Sequence, residues 1–321
     1  MNKQNKQKGQ INRRRFIGIT SAAAAYSIMT QFVRGNAYGL GMGNPDSTFK
    51  GVIIGAITYS FRSLPGTNAE DTLNYLVQCG LHSCELMSGP IEKSAGAPNN
   101  RKDITTWRKT ITSMDKFKEI REMYNKAGVD INIVKFGNIG GDEVSSKEHE
   151  YMFNVAKTMG AKGITTELSE TKAKNLGALA DKHNIAIGFH NHTQITPVTY
   201  SEGLYFSYGK NIMVNLDIGH YAAGTGQSTL SLVNELGNQG RLLSIHVKDR
   251  TFEGDTVPFG EGDAQIAEIL QLIQKKKWNV FCDIELEYPI PEGSDAITEV
   301  SRCVEYCKTA LEFVIIDIRE K

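Results

Sequence analysis

Thiols are scarce in this sequence and badly placed for pairing. Its five cysteines stand at positions 79, 84, 282, 303 and 307, an odd number without zinc-ribbon spacing, so a cysteine-built structural zinc site is excluded. Cys303 and Cys307 have helical i, i+4 spacing, which suits packing better than bridging, and a chain this long buries a full core without disulfides. Glycine-rich phosphate loops are also missing. Gly39-Leu-Gly-Met-Gly43 precedes the first strand-like run instead of following one, and reads as a linker. Nor is there an excess of positive charge, since Lys plus Arg and Asp plus Glu number 36 each. Seven of the basic residues (Lys3, Lys6, Lys8, Arg13, Arg14, Arg15 and Arg34) fall before residue 38, where no acid occurs. The rest of the chain therefore carries 29 basic against 36 acidic residues, a net of −7, which disfavours a nucleic-acid partner.

What the first residues do contain is an export pattern. The basic start is followed by the mild apolar run Phe16 to Met29, shorter than the about 20 residues that span a bilayer, and then by small residues at Gly35 and Ala37. Asn12-Arg-Arg-Arg-Phe-Ile17 before an alanine-rich stretch resembles a twin-arginine signal. The plainer reading is a disordered basic tail. The expected organisation is a Tat-like signal at 1–37, a linker at 38–50 and one folded domain at 51–321. It makes the Tat export machinery a partner and the location periplasmic or otherwise exported.

From Val52 onward short apolar runs alternate with longer amphipathic ones, the pattern of parallel βα units. Strands are expected at 52–59, 82–86, 130–135, 162–168, 185–190, 213–217, 243–247 and 280–285. Helices are expected at 68–78, 113–126, 145–159, 169–183, 228–236, 263–276 and 295–313. Ser145 with Glu148 fits a capping box, and Gly80, Gly128 and Gly160 stand where helices end. The connection 193–210 is the weakest, with only 201–208 available as its helix. Eight strands and about eight helices predict a single α/β domain, a closed (β/α)8 TIM barrel.

In a barrel the C-terminal ends of the strands carry the chemistry. Glu85, Glu167, His190, Asp217, His246 and Glu285 all fall at or near such ends. The 87–112 connection is long for a βα loop and holds Arg101, Trp107 and Arg108, which makes it a candidate lid or substrate-binding segment. Asp217, His246 and Glu285 come from three successive strands and form a mixed oxygen and nitrogen ligand set. Such a set suits a divalent ion such as Mn, Zn, Co or Fe. Singly, a strand-end His is most often structural and an isolated Asp a helix cap; the recurrence at corresponding positions is what points to a site.

Asp217-Ile-Gly-His220, Ser244-Ile-His-Val-Lys-Asp249, Phe259-Gly-Glu-Gly-Asp263 and Asp283-Ile-Glu285 together resemble the xylose-isomerase-like TIM barrels, the sugar phosphate isomerase/epimerase superfamily. The resemblance is most specific from His190 to Glu287. It implies that Asp217, His246 and Glu285 bind a divalent metal, and that His220 contacts substrate, with Lys248 and Glu261 in shared motifs. It further implies isomerisation or epimerisation of a small carbohydrate by proton abstraction beside a carbonyl, through a metal-bound enediolate.

One departure bears on mechanism. Where the epimerases of this family carry a metal-binding, proton-transferring Glu at the end of the fifth strand, this chain has His190-Asn-His192. Either Glu167 completes the metal set (Glu167, Asp217, His246, Glu285) and His190 is the base, the preferred reading, or His190 itself binds metal. Glu167 and Glu285 join His190 as catalytic candidates. His192, His220, Lys248 and Trp107 are candidates for substrate contact, Asn191 is placed to orient its neighbours, and Glu287 shares the strand parity of Glu285. A His-Asn-His fifth strand also resembles the superfamily members that act on 3-keto-glycosides or C-glycosides, where the same abstraction is followed by β-elimination. A non-catalytic periplasmic sugar-binding barrel is a third reading. Endonuclease-like members would need a basic surface, against the net of −7, and the question of a homo-oligomer stays open.

Overall fold

A computed structural model describes residues 10–12, 44–200 and 205–316. The expected signal at 1–37 lies almost wholly outside the described residues, as does the first part of the linker. Gln10–Asn12 pairs in parallel with Val314–Ile316, apart from the main sheet. The main sheet closes on itself. Its eight parallel strands are β1 (Val52–Ile57), β2 (Ser83–Met87), β3 (Asp130–Lys135), β4 (Gly163–Glu167), β5 (Ala186–His190), β6 (Ile212–Asp217), β7 (Leu242–Val247) and β8 (Phe281–Ile284). They pair in sequence order, and β8 returns to β1 through Phe281 opposite Ile53 to Ile284 opposite Ala56. A two-residue strand, Thr48–Phe49, runs antiparallel to the start of β1. The single (β/α)8 barrel expected from the sequence is what the chain forms.

The described residues contain ten α-helices: α1 (Ala69–Gln78), α2 (Ser88–Ser94), α3 (Arg101–Thr110), α4 (Asp115–Lys126), α5 (Ser146–Met159), α6 (Glu170–His183), α7 (Ile218–Thr225), α8 (Leu230–Asn238), α9 (Ile266–Lys276) and α10 (Ala296–Glu312). Local chemistry sets their ends. The Ser145 side chain accepts from Glu148 N while the Glu148 carboxylate accepts from Ser145 N, and Gly160 closes the helix in the left-handed region at φ 80. An equivalent box of Asn68 and Asp71 starts α1. The 87–112 segment, expected as a loop, is folded into α2 and α3. Its helices were hidden because α3 is mostly polar; Asn100 caps it, and buried Arg108 ties it to Glu92 of α2 at 2.7 and 2.9 Å. In the 193–210 connection the described helical element is a 3-10 turn at Tyr205–Tyr208.

Outward-facing strand residues such as Ile54, Ile164, Ile187, Val214 and Ile245 are fully covered by the helix ring. Complete burial of each such side chain contributes roughly 1.5–3 kcal/mol. The barrel interior has a different composition. A small apolar layer of Ile133, Ala186, Leu243 and Phe281 fills one end. Toward the C-terminal ends the interior turns polar with Ser83, Glu85, Thr165, Asn215, Ser244, His246 and Asp283, all buried. Glycines make this polar stack fit. A Cβ on Gly55 would stand 2.3 Å from Asp283 Oδ1 and 2.8 Å from the Ser83 backbone oxygen, and one on Gly188 would stand 2.9 Å from Leu243 Cδ2.

Gly55→Ala is therefore expected to destabilise the barrel by about 1–3 kcal/mol, because a backbone oxygen cannot move aside as a side chain can. Urea denaturation checks this, and an unchanged midpoint would show that the interior has slack.

Candidate functional site

Strand register brings the candidate residues to one mouth of the barrel. Glu167 lies opposite His190, His190 opposite Asn215, and Asp217 opposite His246. Glu285 follows directly after β8. His190, Asp217, His246 and Glu285 each offer a ligand atom, all within 4.8 Å of one another, and all four are buried. The fourth member is thus His190. Glu167, preferred from sequence as the fourth ligand, stands outside this group: its carboxylate meets His192 Nε2 at 2.7 Å and Lys135 Nζ at 3.1 Å. Strand parity turns Glu167 and His190 alike toward the mouth, and the partners on neighbouring strands decide which one reaches the group.

Each donor is oriented by a specific neighbour. His190 Nδ1 donates to Asn215 Oδ1 at 2.8 Å, which leaves Nε2 with its lone pair. Asn215 is itself fixed, donating to Ser244 Oγ at 2.6 Å. His246 sits between two carboxylates, with Nδ1 3.0 Å from Glu285 Oε2 and Nε2 3.0 Å from Glu85 Oε2. Thr165 Oγ1 donates to the other oxygen of Glu85 at 2.6 Å. Asp217 caps α7 through Oδ1, which accepts from His220 N at 2.7 Å, and is both the helix cap and the donor that the sequence offered as alternatives. Asn191 locks its backbone, accepting from Asp217 N at 3.0 Å and donating to Asp217 O at 3.1 Å.

The charges are arranged as unevenly as the donors. Lys248 projects into the group, with Nζ 2.9 Å from Asp217 Oδ2, 2.9 Å from Glu285 Oε2, 2.8 Å from Glu287 Oε2 and 3.0 Å from His220 Nε2. An ammonium has three hydrogens for these four neighbours. Asp217 Oδ2, although at ion-pair distance, makes no hydrogen bond of acceptable geometry and is fully buried. His220 also receives Arg250 Nη1 on Nδ1 at 2.8 Å. Burial alone would hold the His246 pKa down, but Glu85 and Glu285 push it up to about 10. Burial, with Lys135 and His246 nearby, holds His190 well below the ordinary histidine range. The hydrogen bond to Glu167 raises His192. Glu285, despite burial, is held well below the usual carboxylate range by His246 and Lys248. Glu167 is brought down to about 2 by His192 and Lys135 against the opposing effect of its burial.

The donor set fits a divalent ion. A buried carboxylate oxygen without a hydrogen bond points into it, and His246 is backed by Glu85 on its far nitrogen, as ligating histidines commonly are. Of the substrate candidates, His192 and His220 border the group, with ring centroids 5.0 and 6.2 Å from that of His190. Trp107 does not join them; its ring packs edge-on against Tyr151 at 5.8 Å. Glu261 is exposed. Sequence reading missed Lys135, Asn215 and the pairing of Glu85 with His246. It also missed Asp249, which accepts from Gly260 N and Gly262 N at 2.7 and 3.1 Å and so shapes the Phe259-Gly-Glu-Gly-Asp263 loop. A cavity of about 330 Å³ opens between the turn after β1 and α2 and α3, with Thr58, Arg62, Met87 and Ile104 in its walls. The five cysteines are free and buried, as expected of packing residues.

No protein-family model matches the chain, and no curated protein matches it in sequence. Its fold is similar to that of a sugar phosphate isomerase/epimerase from Parabacteroides distasonis ATCC 8503, at 19% identity and TM-score 0.56, covering 79% of this chain and 95% of that one. It is similar also to the IolI protein with a bound zinc atom, at 14% identity and TM-score 0.57, covering 81% and 98%. A third similar structure is the probable 3-DHS dehydratase AsbF from Bacillus anthracis, at 14% identity and TM-score 0.57, covering 80% and 97%.

The two buried histidines set opposite pH limits on the metal-free protein. His246, raised to about 10, stabilises the fold fully below the ordinary value of about 6.5, and this is lost as pH rises through 10. His190, depressed, works in the other sense: below about 6.5 the unfolded chain takes up the proton first and stability falls. Urea midpoints measured with chelator present should peak near neutrality. His246→Gln should flatten the alkaline side, and an unchanged alkaline slope in that variant would refute the assignment.

Proposed function

We propose that this chain is a divalent-metal-dependent carbohydrate isomerase or epimerase that removes a proton from the carbon beside a carbonyl. The observation that carries the proposal is the pair His190 and His192, pushed in opposite directions by their surroundings at the edge of a four-donor group. Asp217, His246 and Glu285 would hold the ion, which when bound polarises a carbonyl and acidifies the neighbouring C–H. Three protein ligands leave positions free for substrate oxygens.

His190 is the base. Neutral, and fixed by Asn215 in the tautomer with its lone pair on Nε2, it takes the proton there; returning that proton to the adjacent carbon, while the hydroxyl proton passes to the former carbonyl oxygen, isomerises the sugar. Glu285, itself a member of the four-donor group and held ionised by His246 and Lys248, serves there as a carboxylate donor. Glu167 holds His192 at the rim through the 2.7 Å hydrogen bond, which favours the protonated form of that ring. His220, Lys248 and Glu287 surround the position where substrate hydroxyls bind. Similarity of fold to a protein described as a sugar phosphate isomerase/epimerase and to a zinc-bound protein supports this reading.

A second reading, a 3-keto-glycoside or C-glycoside lyase, is favoured by His192. Its side chain is 51% exposed at the rim and bonded to Glu167, as suits an acid that protonates a departing aglycone after His190 has taken the α-proton. The fold likeness to a probable dehydratase is in keeping with elimination. We also propose export through the twin-arginine route. Substituting Arg13 and Arg14 with Lys should stop it, and normal export of that variant would refute the route.

Treatment with chelator should abolish turnover of a panel of free sugars, with Mn2+ or Zn2+ restoring it; full activity in the chelated protein would sink the metal-dependent reading. His190→Ala should lower kcat by about 10²–10⁴-fold under either chemistry. His192→Ala separates the two. It should spare sugar interconversion, yet abolish release of aglycone from 3-keto-glycosides.

A further inference from the structure

The Lys248 ammonium occupies the heart of the acidic group. Its side chain is 2% exposed, and three carboxylates close on it: Asp217 and Glu285 from the buried side, and Glu287, 23% exposed, toward the mouth. Three converging carboxylates without a cation would be strongly destabilising, because each gives up water without a partner. A divalent ion needs oxygens at about 2.0–2.2 Å. Sharing Asp217 Oδ2 and Glu285 Oε2 with an ammonium 2.9 Å from both would bring three positive charges to less than about 5 Å, in a setting with little water to screen them.

From this geometry we infer that Lys248 is a built-in counter-ion that holds the metal position and must vacate it for a divalent ion to bind. The inference rests on the metal-site reading above and adds that the two cations are mutually exclusive. Glu287 provides the exit. It is the outermost of the three carboxylates and already contacts Nζ at 2.8 Å, so the ammonium can swing outward without losing its partner. Asp217 and Glu285 then pass to the ion. The neighbouring three-histidine cluster, His190 with His192 and His220, does not offer an equivalent position. Both ring nitrogens of His220 already face cations, Lys248 at 3.0 Å and Arg250 at 2.8 Å.

Calorimetric titration of the chelator-stripped full chain with Mn2+, Zn2+ and Co2+ tests the inference. A site whose open state is only fractionally populated loses apparent affinity by that fraction. Lys248→Met should therefore bind at least about tenfold more tightly than wild type. Glu287→Gln, which removes the ammonium's outer partner, should bind more weakly. Metal-free Lys248→Met should melt below the wild type and recover on adding the ion. Should that variant fail to fold, Glu287→Gln and a metal-soaked wild-type crystal carry the test. Binding by Lys248→Met with none by wild type would uphold mutual exclusion while overturning metal-dependent catalysis. Equal affinities in wild type and Lys248→Met, or no binding by either, would overturn the inference itself. So would a metal-loaded structure in which Nζ stays within about 3 Å of both Asp217 and Glu285.

Discussion

A run of alternating charge through the barrel mouth is the constraint on which the rest depends. Glu85, His246, Glu285, Lys248 and Asp217 follow one another at 3.0, 3.0, 2.9 and 2.9 Å, negative and positive in turn, and all are buried. Any one of them alone would be intolerable in such a place, and together each supplies the solvent the others have lost. The consequence is rigidity. Four strands and their ends (β2, β6, β7 and β8) must stand in the observed register for the alternation to hold, so the site specifies the closed barrel as much as the barrel presents the site.

Neutral polar groups extend that order sideways. Asn215 touches His190, Ser244 and, at 3.5 Å, Glu85, and thereby joins the histidine of β5 to the charged run. Asn191 does the same for Asp217 through its backbone, and Asp249 for the loop beyond β7. They limit the positions that the charged groups can adopt.

Much of this was legible because several barrel strands are mainly apolar runs with a titratable residue at or near the C-terminal end. Ile185 to Phe189 closes on His190, Met213 to Leu216 on Asp217, and Leu242 to Ile245 on His246, so the eight strands and the candidate donors could be read together. Two kinds of feature were not legible. The first is pairing across the barrel: His246 and Glu85 are 161 residues apart, and no local spacing reports their contact. Glu167 and His190 likewise share a parity, and only packing against Lys135 and His192 turns the former away. The second is helix without amphipathic pattern. Arg-Lys-Asp-Ile-Thr-Thr-Trp-Arg-Lys-Thr has too few apolar residues to announce α3, which is held by a cap and by the buried Arg108–Glu92 pair. Lys248 was singled out for substrate, but its position among three carboxylates depends on strands that the sequence separates.

The turn after β1 has a bearing on how the protein comes into being. Ser60 Oγ donates to Ile284 O and accepts from Leu286 N, so it grips the backbone on either side of Glu285, and Arg62 Nη1 donates to Leu286 O. These bonds join residues 224 to 226 positions apart, among the longest-range contacts of the chain. Contacts of such separation form late, after the loop-closure entropy has been met by everything between them. During synthesis, then, a nascent barrel can have seven strands in place and still lack the carboxylate of β8. The four-donor group is complete only once the last strand has closed the seam.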